Sequence, residues 1–354
     1  MENLIRVSSE KLTQFINTLL ISEKVDVEEA KIISQALVWS DLIGRSTHGV
    51  GRLPNYLRRY RHQLIKSPCQ AEFQQKSETI YLVNGNDGFG HYLGHIAMEK
   101  ATQIANQYGV GIVGVNHSNH FGANAYYVNL AAQHQQIGLA FSNSFPHVAP
   151  YGGISAVLGT NPFGFAVPTQ NDRSIIVDFS TGMSAGSGLR KMSQNQEKIE
   201  EDIIIDVEGN SITDPQKVSE GVILPFGGAK GFCLGLMVEI LSGVITGAGI
   251  SHEIASMYKN FDRSANIGHF LMAIDITKLM PLDEYYQRIE RLISFIKASK
   301  TQNNIEEILL PGEKRWRNYD EQIQNGIQLD SQTVAKLNNL AIQLGIPTIE
   351  RVIT

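Results

Sequence analysis

Cysteine is nearly absent from this sequence. Its 354 residues contain two, Cys69 and Cys233, far apart and with no thiol or imidazole nearby at ligand spacing. A disulfide-stapled fold and a paired-cysteine metal or redox motif are therefore excluded, and a reducing cytosol is the expected setting. A basic excess is lacking too: 30 Lys and Arg stand against 35 Asp and Glu, for a formal net charge of -5. No basic cluster interleaves with aromatics, so a nucleic-acid partner is not expected. The amino terminus, MENLIRVSSEKLTQF, has no basic patch followed by an apolar run, as a signal peptide would require. The longest apolar stretch, GFCLGLMVEILSGVITGAG at 231–249, carries Glu239 and many glycines. It is expected as a buried helix, with no membrane span.

What is present is an ordinary globular composition, 42% hydrophobic, long enough for two or three domains. The first 64 residues have helical periodicity. Ser8 or Ser9 caps a segment with Leu12, Phe15, Leu19 and Leu20 on one side; Asp26 caps a second that stops at Gly44. A third is expected over Leu53 to Gln63, with Pro54 in its first turn. From Glu78 the pattern changes to short β-branched runs punctuated by Gly, Pro and Asn: TIYLVNG, GIVGV, IGLAFSN, FGFAVP, SIIVDFS and DIIIDVEG. Helices are expected at His91 to Tyr108, at Ala123 to Gln135 and from Gly231. After about Tyr285 helical spacing returns in YYQRIERLISFIKAS and SQTVAKLNNLAIQLG. The expected architecture is α/β: a helical domain built from both chain ends, 1–75 and 285–354, beside a mixed-sheet domain, 76–284.

Several stretches carry chemistry. VNGNDGFGHYLGH sets Gly88, Gly90 and Gly94 between a strand and a helix, close to the dinucleotide fingerprint but one residue too long. No acidic residue ends the following strand, so these glycines are assigned to a tight turn. His117 and His120 end a strand without a third metal ligand at useful spacing, and no metal site is expected. SNSFPHVAPYGGISAVLGTNPFGFAVP presents Ser142, Asn143, Ser144, Thr160 and Asn161 on rigid backbone, a candidate ligand wall. Lys230 follows a glycine turn that opens a helix, where a cation and free N–H groups suit an anion; a solvated lysine is the plainer alternative. In GRSTHGVGRLPNY, steps of four place His48, Arg52 and Tyr56 on one face: an acid or base, a carboxylate clamp and a hydrogen-bond donor. Spacing alone equally describes three surface residues.

Taken in order, STHGVGRLPNY, HSNHFGANAYY, SNSFPHVAPYGG, LGTNPFGFAVP, VDFS, ITDP, LPFGGAKGFCLGL, NIGHFLMAID and LLPGE resemble the type 2 malate/L-lactate dehydrogenase family, from about residue 8 to residue 350. The resemblance implies a cytoplasmic homodimer with a non-Rossmann, nicotinamide-binding mixed-sheet domain, using NADPH or NADH. It further implies that His48 and His120 are the candidate catalytic residues, with Arg52, Tyr56 and Thr160 at a small carboxylate substrate. Ser142, Ser144, Asp178, Phe179, Ser180, Lys230, Gly312 and Glu313 resemble cofactor-binding positions. The implied reaction is hydride transfer between nicotinamide and C2 of a 2-oxo/2-hydroxy acid. A cyclic ketimine reductase acting on Δ1-pyrroline- or Δ1-piperideine-2-carboxylate is the alternative, and a catalytically idle metabolite-binding relative the third reading.

The sequence departs from the family pattern in four places. Thr47 replaces a serine before His48, and Ala229 stands where an aromatic often precedes Lys230. Gly188 occupies a position where many relatives have lysine, with Arg190 and Lys191 displaced. Ile203 to Ile205 replace a glycine-tryptophan pair. These changes leave the choice between NADH and NADPH open and suggest a substrate unlike malate or lactate.

Overall fold

The computed structural model describes residues 5–350. Its amino-terminal helices follow their local signals. The Ser8 hydroxyl accepts from the Lys11 N–H and opens Ser9–Ser22; the Asp26 carboxylate accepts from the N–H groups of Glu28 and Glu29 and opens Val27–Leu42. Both caps satisfy donors that a helix start leaves free. Leu53–Arg61 begins with Pro54 in its first turn, as expected, and ends two residues sooner. Leu12, Phe15, Ile16 and Leu19 pack with Ile33, Leu37, Leu53 and Leu57, and with Val334, Leu337 and Leu340 of the helix Ser331–Leu344. The strand Ile5–Val7 pairs with Ile327–Leu329, so the two chain ends share one core and one small ladder.

A seven-stranded mixed sheet forms the centre, in the order Glu72–Gln75, Ile80–Asn84, Val110–Ser118, Ile267–Asp275, Gln136–Ser142, Phe163–Val167, Ile175–Phe179. One pair, Ile80–Asn84 with Val110–Ser118, is parallel; the rest are antiparallel. The helices Gly90–Tyr108 and Asn124–Gln133 share a core with the sheet through Leu93, Met98, Val113, Tyr127, Val128 and Leu271. Trp316, whose ring lies edge-on to Trp39 at 6.4 Å, donates its indole N–H to the Ser174 carbonyl and joins the helical region to the sheet.

Three features differ from expectation. The strand in the middle of the sheet, Ile267–Asp275, lacks β punctuation because both of its faces are covered and its pairing is entirely long-range. DIIIDVEG contributes only Ile204–Ile205, paired with Val222–Ile223 in a separate ladder. The apolar helix Ala229–Glu239 continues into a π turn at Ile240–Val244 and is buried along one side only. Leu236, Ile240, Val244 and Ile245 stand 41–57% exposed. No helix among the described residues is long and apolar enough to cross a membrane.

The Gly88 to Gly94 turn is explained by packing. A side chain at Gly90 would meet the Asn119 carbonyl at 2.1 Å, and one at Gly94 would meet the rings of Tyr127 and Phe121. None of these glycines lines the main cavity.

Candidate active site

The sheet, the loops at its strand ends and the helical region enclose a cavity of about 570 Å³. Strand Val110–Ser118 ends in a loop carrying His120; strand Gln136–Ser142 ends at the wall Ser142, Asn143, Ser144; strand Ile175–Phe179 delivers Asp178, Phe179 and then Ser180. Thr160 completes that wall, and the helical region supplies Arg45 and His48. Eight of the expected site residues thus meet at one cavity. The other five do not line it.

Arg52 and Tyr56 lie just behind the lining, each bonded to a neighbour of the site. The Arg52 Nε donates to the Thr47 carbonyl at 2.6 Å, and the Thr47 hydroxyl lies 3.0 Å from Nδ1 of His48. The Tyr56 phenol is buried and bonds Nδ1 of His120 at 2.8 Å. Lys230 is exposed on the first turn of its helix, four residues past Phe226, which does line the cavity. Gly312, at φ +94°, takes a left-handed turn pressed against the Ile176 backbone. Glu313 accepts from the Leu310 N–H at 2.7 Å and pairs with Lys297.

His48 and His120 face one another with centroids 5.8 Å apart and planes inclined by 15°. Burial drives the His48 imidazole down to about 4; Asp178 opposes this, while Arg52, Arg45 and Arg315 reinforce it. Burial also pushes His120 well below its ordinary value, and the neighbouring His48 and Arg52 add to the effect. Both rings are therefore neutral at physiological pH. Asp178 is clamped by Arg315 at 3.3 Å and Arg45 at 3.8 Å, and its backbone carbonyl accepts from both guanidinium groups. Its charge is thereby matched within the protein.

Some functional neighbours escaped the sequence reading. His269 lies under the wall between the hydroxyls of Ser142 and Ser118, at 2.9 and 2.7 Å, stacked on Phe121. Glu239, the acid inside the apolar helix, accepts from the Asn161 amide at 2.7 Å and the Ser251 N–H at 2.8 Å. Asn161 in turn accepts from the Ser144 N–H at 3.3 Å, so Glu239 braces the wall from behind. An acid in an apolar helix was the available signal, without any indication of its partners. Among the described residues no group of three His, Cys, Asp or Glu is placed to hold a metal ion.

The cavity suits a large ligand with aromatic and amide parts. Phe179 and Phe226 meet edge-on at 5.6 Å on one wall. Asn124, in the same lining, has a buried amide whose oxygen and nitrogen find no hydrogen-bond partner among the described residues.

Residues 7–338 match the family model described as malate/L-lactate dehydrogenase. The chain belongs to the malate/L-lactate dehydrogenase family. It is 35% identical over 341 residues to the L-sulfolactate dehydrogenase of Methanothermobacter thermautotrophicus, covering 96% of this chain and 98% of that protein. The solved malate dehydrogenase of Pyrococcus horikoshii superposes with a TM-score of 0.91 at 33% identity, covering 99% of this chain and 98% of the other. A relative from Chromohalobacter salexigens, the (2R)-3-sulfolactate dehydrogenase (NADP(+)), is 30% identical over 287 residues, or 81% of this chain and 84% of that protein. As a family member this malate/L-lactate dehydrogenase homologue is an NAD(P)-dependent dehydrogenase or reductase.

Proposed function

We propose that this enzyme interconverts a small 2-oxo acid and its 2-hydroxy acid, with His48 and His120 at the reacting oxygen. Arg52 and Thr160 would hold the carboxylate, and Tyr56 would keep His120 oriented. The observation that carries the reading is the facing pair of neutral imidazoles on the cavity wall, with the unpaired Arg52 guanidinium tied to the loop of one of them. When bound, reduced nicotinamide supplies the hydride that C2 receives. Ser142, Ser144, Phe179 and Ser180 would hold that cofactor, beside the clamped Asp178. Lys230, Gly312 and Glu313 would reach it from the rim.

For the protein, the chemistry is positioning and proton management. A neutral His48 accepts the hydroxyl proton in the oxidising direction. In the reducing direction, a bound carboxylate offsets Arg52 and restores part of the basicity that burial removes, so that His48 can carry the proton to the forming alkoxide.

The remaining parts of the proposal are a helical domain from both chain ends beside a non-Rossmann cofactor domain, a cytoplasmic setting suited to two free thiols, and a homodimer. The apolar face of Leu236, Ile240, Val244 and Ile245 supports a second copy as its cover.

The test is oxidation of NADH and NADPH, in parallel, by a panel of 2-oxo acids and the two cyclic imines Δ1-pyrroline- and Δ1-piperideine-2-carboxylate. Turnover of 2-oxo acids is the expected result. Turnover of imines alone would replace it with an amino-acid-forming reductase, and failure to bind either nicotinamide would leave an idle relative.

A further inference from the structure

Two guanidinium groups converge on one phenol beside the site. Arg52 Nη1 and Arg190 Nη2 both donate to the Tyr258 hydroxyl oxygen, Arg190 at 3.1 Å. Both also lie near its ring, with guanidinium carbons 5.9 and 4.7 Å from the centroid. Among the described residues, neither cation has a carboxylate within ion-pairing distance. Arg45 and Arg315, by contrast, share Asp178. His147, packed edge-on against Phe145 at 4.5 Å, feels Arg190 and Lys259 as further positive neighbours. Phe145 itself lies 6.1 Å from the Tyr258 ring.

Two like charges gathered on a neutral oxygen in a half-buried place repel each other, and an anion relieves that repulsion. One of the two is already engaged by the proposed reaction: Arg52 is tied through Thr47 to His48 and is positioned for the carboxylate next to C2. Arg190 is left over. It projects from the helix Gly186–Gln194, directly after the cavity-lining residues Met183, Ser184 and Ala185. The Tyr258 oxygen accepts from both cations, while its own proton has no acceptor among the described residues and is available to an anionic oxygen.

We propose that Arg190 and Tyr258 form a second anion subsite, which selects 2-oxo and 2-hydroxy acids bearing a further carboxylate or sulfonate on the side of C2 away from the first. The inference rests on the proposed reaction and names the class of substrate within it. Arg190 is the specificity-determining residue, since Arg52 serves every carboxylate substrate alike.

The experiment compares kcat/KM of the full-length enzyme for oxaloacetate, sulfopyruvate and 2-oxobutyrate, in the wild type and in Arg190→Met, Arg190→Lys, Tyr258→Phe and Arg52→Met. The wild type should prefer one or both of the doubly acidic substrates. Arg190→Met should lower kcat/KM for the preferred substrate at least tenfold, mainly through KM, and leave 2-oxobutyrate within about twofold. Arg190→Lys should recover part of the loss, and Tyr258→Phe should shift the same ratio in the same direction. Arg52→Met should depress all three substrates. A wild type without preference for a second acidic group overturns the inference, as does a loss in Arg190→Met or Arg190→Lys that is equal for all substrates, since that would mark a merely structural role. Absence of turnover of all three substrates by the wild type, with both nicotinamides, would instead overturn the proposed reaction on which the inference stands.

Discussion

The Tyr56 hydroxyl and Nδ1 of His120 are joined at 2.8 Å although 64 positions separate them in the chain. The backbone N–H of Gly122 reaches the same nitrogen at 3.3 Å. A backbone N–H only donates, so Nδ1 keeps its lone pair and the proton of the neutral ring sits on Nε2. Tyr56 therefore sets both the tautomer and the tilt of a ring that lines the cavity. His91, buried edge-on against Tyr56 at 4.9 Å, holds the phenol from its other side.

Tyr56→Phe should lower kcat about tenfold or more while KM for the 2-oxo acid stays within about threefold, because only the orientation of His120 is lost. Steady-state kinetics check this. A rise in KM at unchanged kcat would place the phenol on the substrate instead.

Arg52→Lys should chiefly raise KM for the 2-oxo acid, on the order of tenfold or more, since an ammonium lacks the planar fork that grips a carboxylate. An unchanged KM would remove Arg52 from the substrate site.

His48 is held down to about 4, chiefly by burial. A base with that value is already deprotonated throughout the neutral range. At saturating oxidised nicotinamide, kcat/KM for the 2-hydroxy acid should stay level from pH 6 to pH 8 and fall only as pH approaches the His48 value of about 4. A limb centred near the ordinary histidine value would mean that another group takes the proton.

Gly49 has no room for a side chain: a Cβ there would lie 2.0 Å from the Asp41 carboxylate. That carboxylate accepts from the Val50 N–H at 2.8 Å and anchors the turn carrying His48. Gly49→Ala should displace the turn, lowering kcat/KM by at least tenfold and stability by about 1–3 kcal/mol. Thermal unfolding and kinetics together test it, and a variant with wild-type values in both would show that the turn yields freely.

Burial raises the Asp41 carboxyl from 3.8 to about 7. Its folded-state value exceeds its unfolded one, so its stabilising contribution is complete below about pH 4 and is lost as pH rises through 7. Asp41→Asn keeps an acceptor for Val50 and removes the titration. The variant should gain in melting temperature over the wild type at pH 8, with the difference shrinking toward pH 4. A difference that did not change with pH would exclude a titrating Asp41.

Much of the architecture was legible because its causes are local. A serine hydroxyl three residues from an N–H, an aspartate before Val27 and a proline at a helix start act within one turn. The short β-branched runs were visible for the same reason. The strand Ile267–Asp275 was not, since its place between Val110–Ser118 and Gln136–Ser142 depends on partners more than 120 residues away in sequence. The exposed side of Ala229–Glu239 was missed because hydropathy records apolar content and not which face is covered.

The same division runs through the site. The sequence by itself determined which chemistry was available: two imidazoles in their motifs, an arginine four residues after His48, a hydroxyl and amide wall, and the family pattern uniting them. Only the tertiary structure decided which groups act together. It put Tyr56 under His120, clamped Asp178 between Arg45 and Arg315, and closed Arg52 and Arg190 on Tyr258. Capping and turn chemistry act between neighbours in the chain and leave a mark on spacing. Hydrogen bonds and charge pairs between distant residues depend on sheet order and helix packing, which no local pattern records.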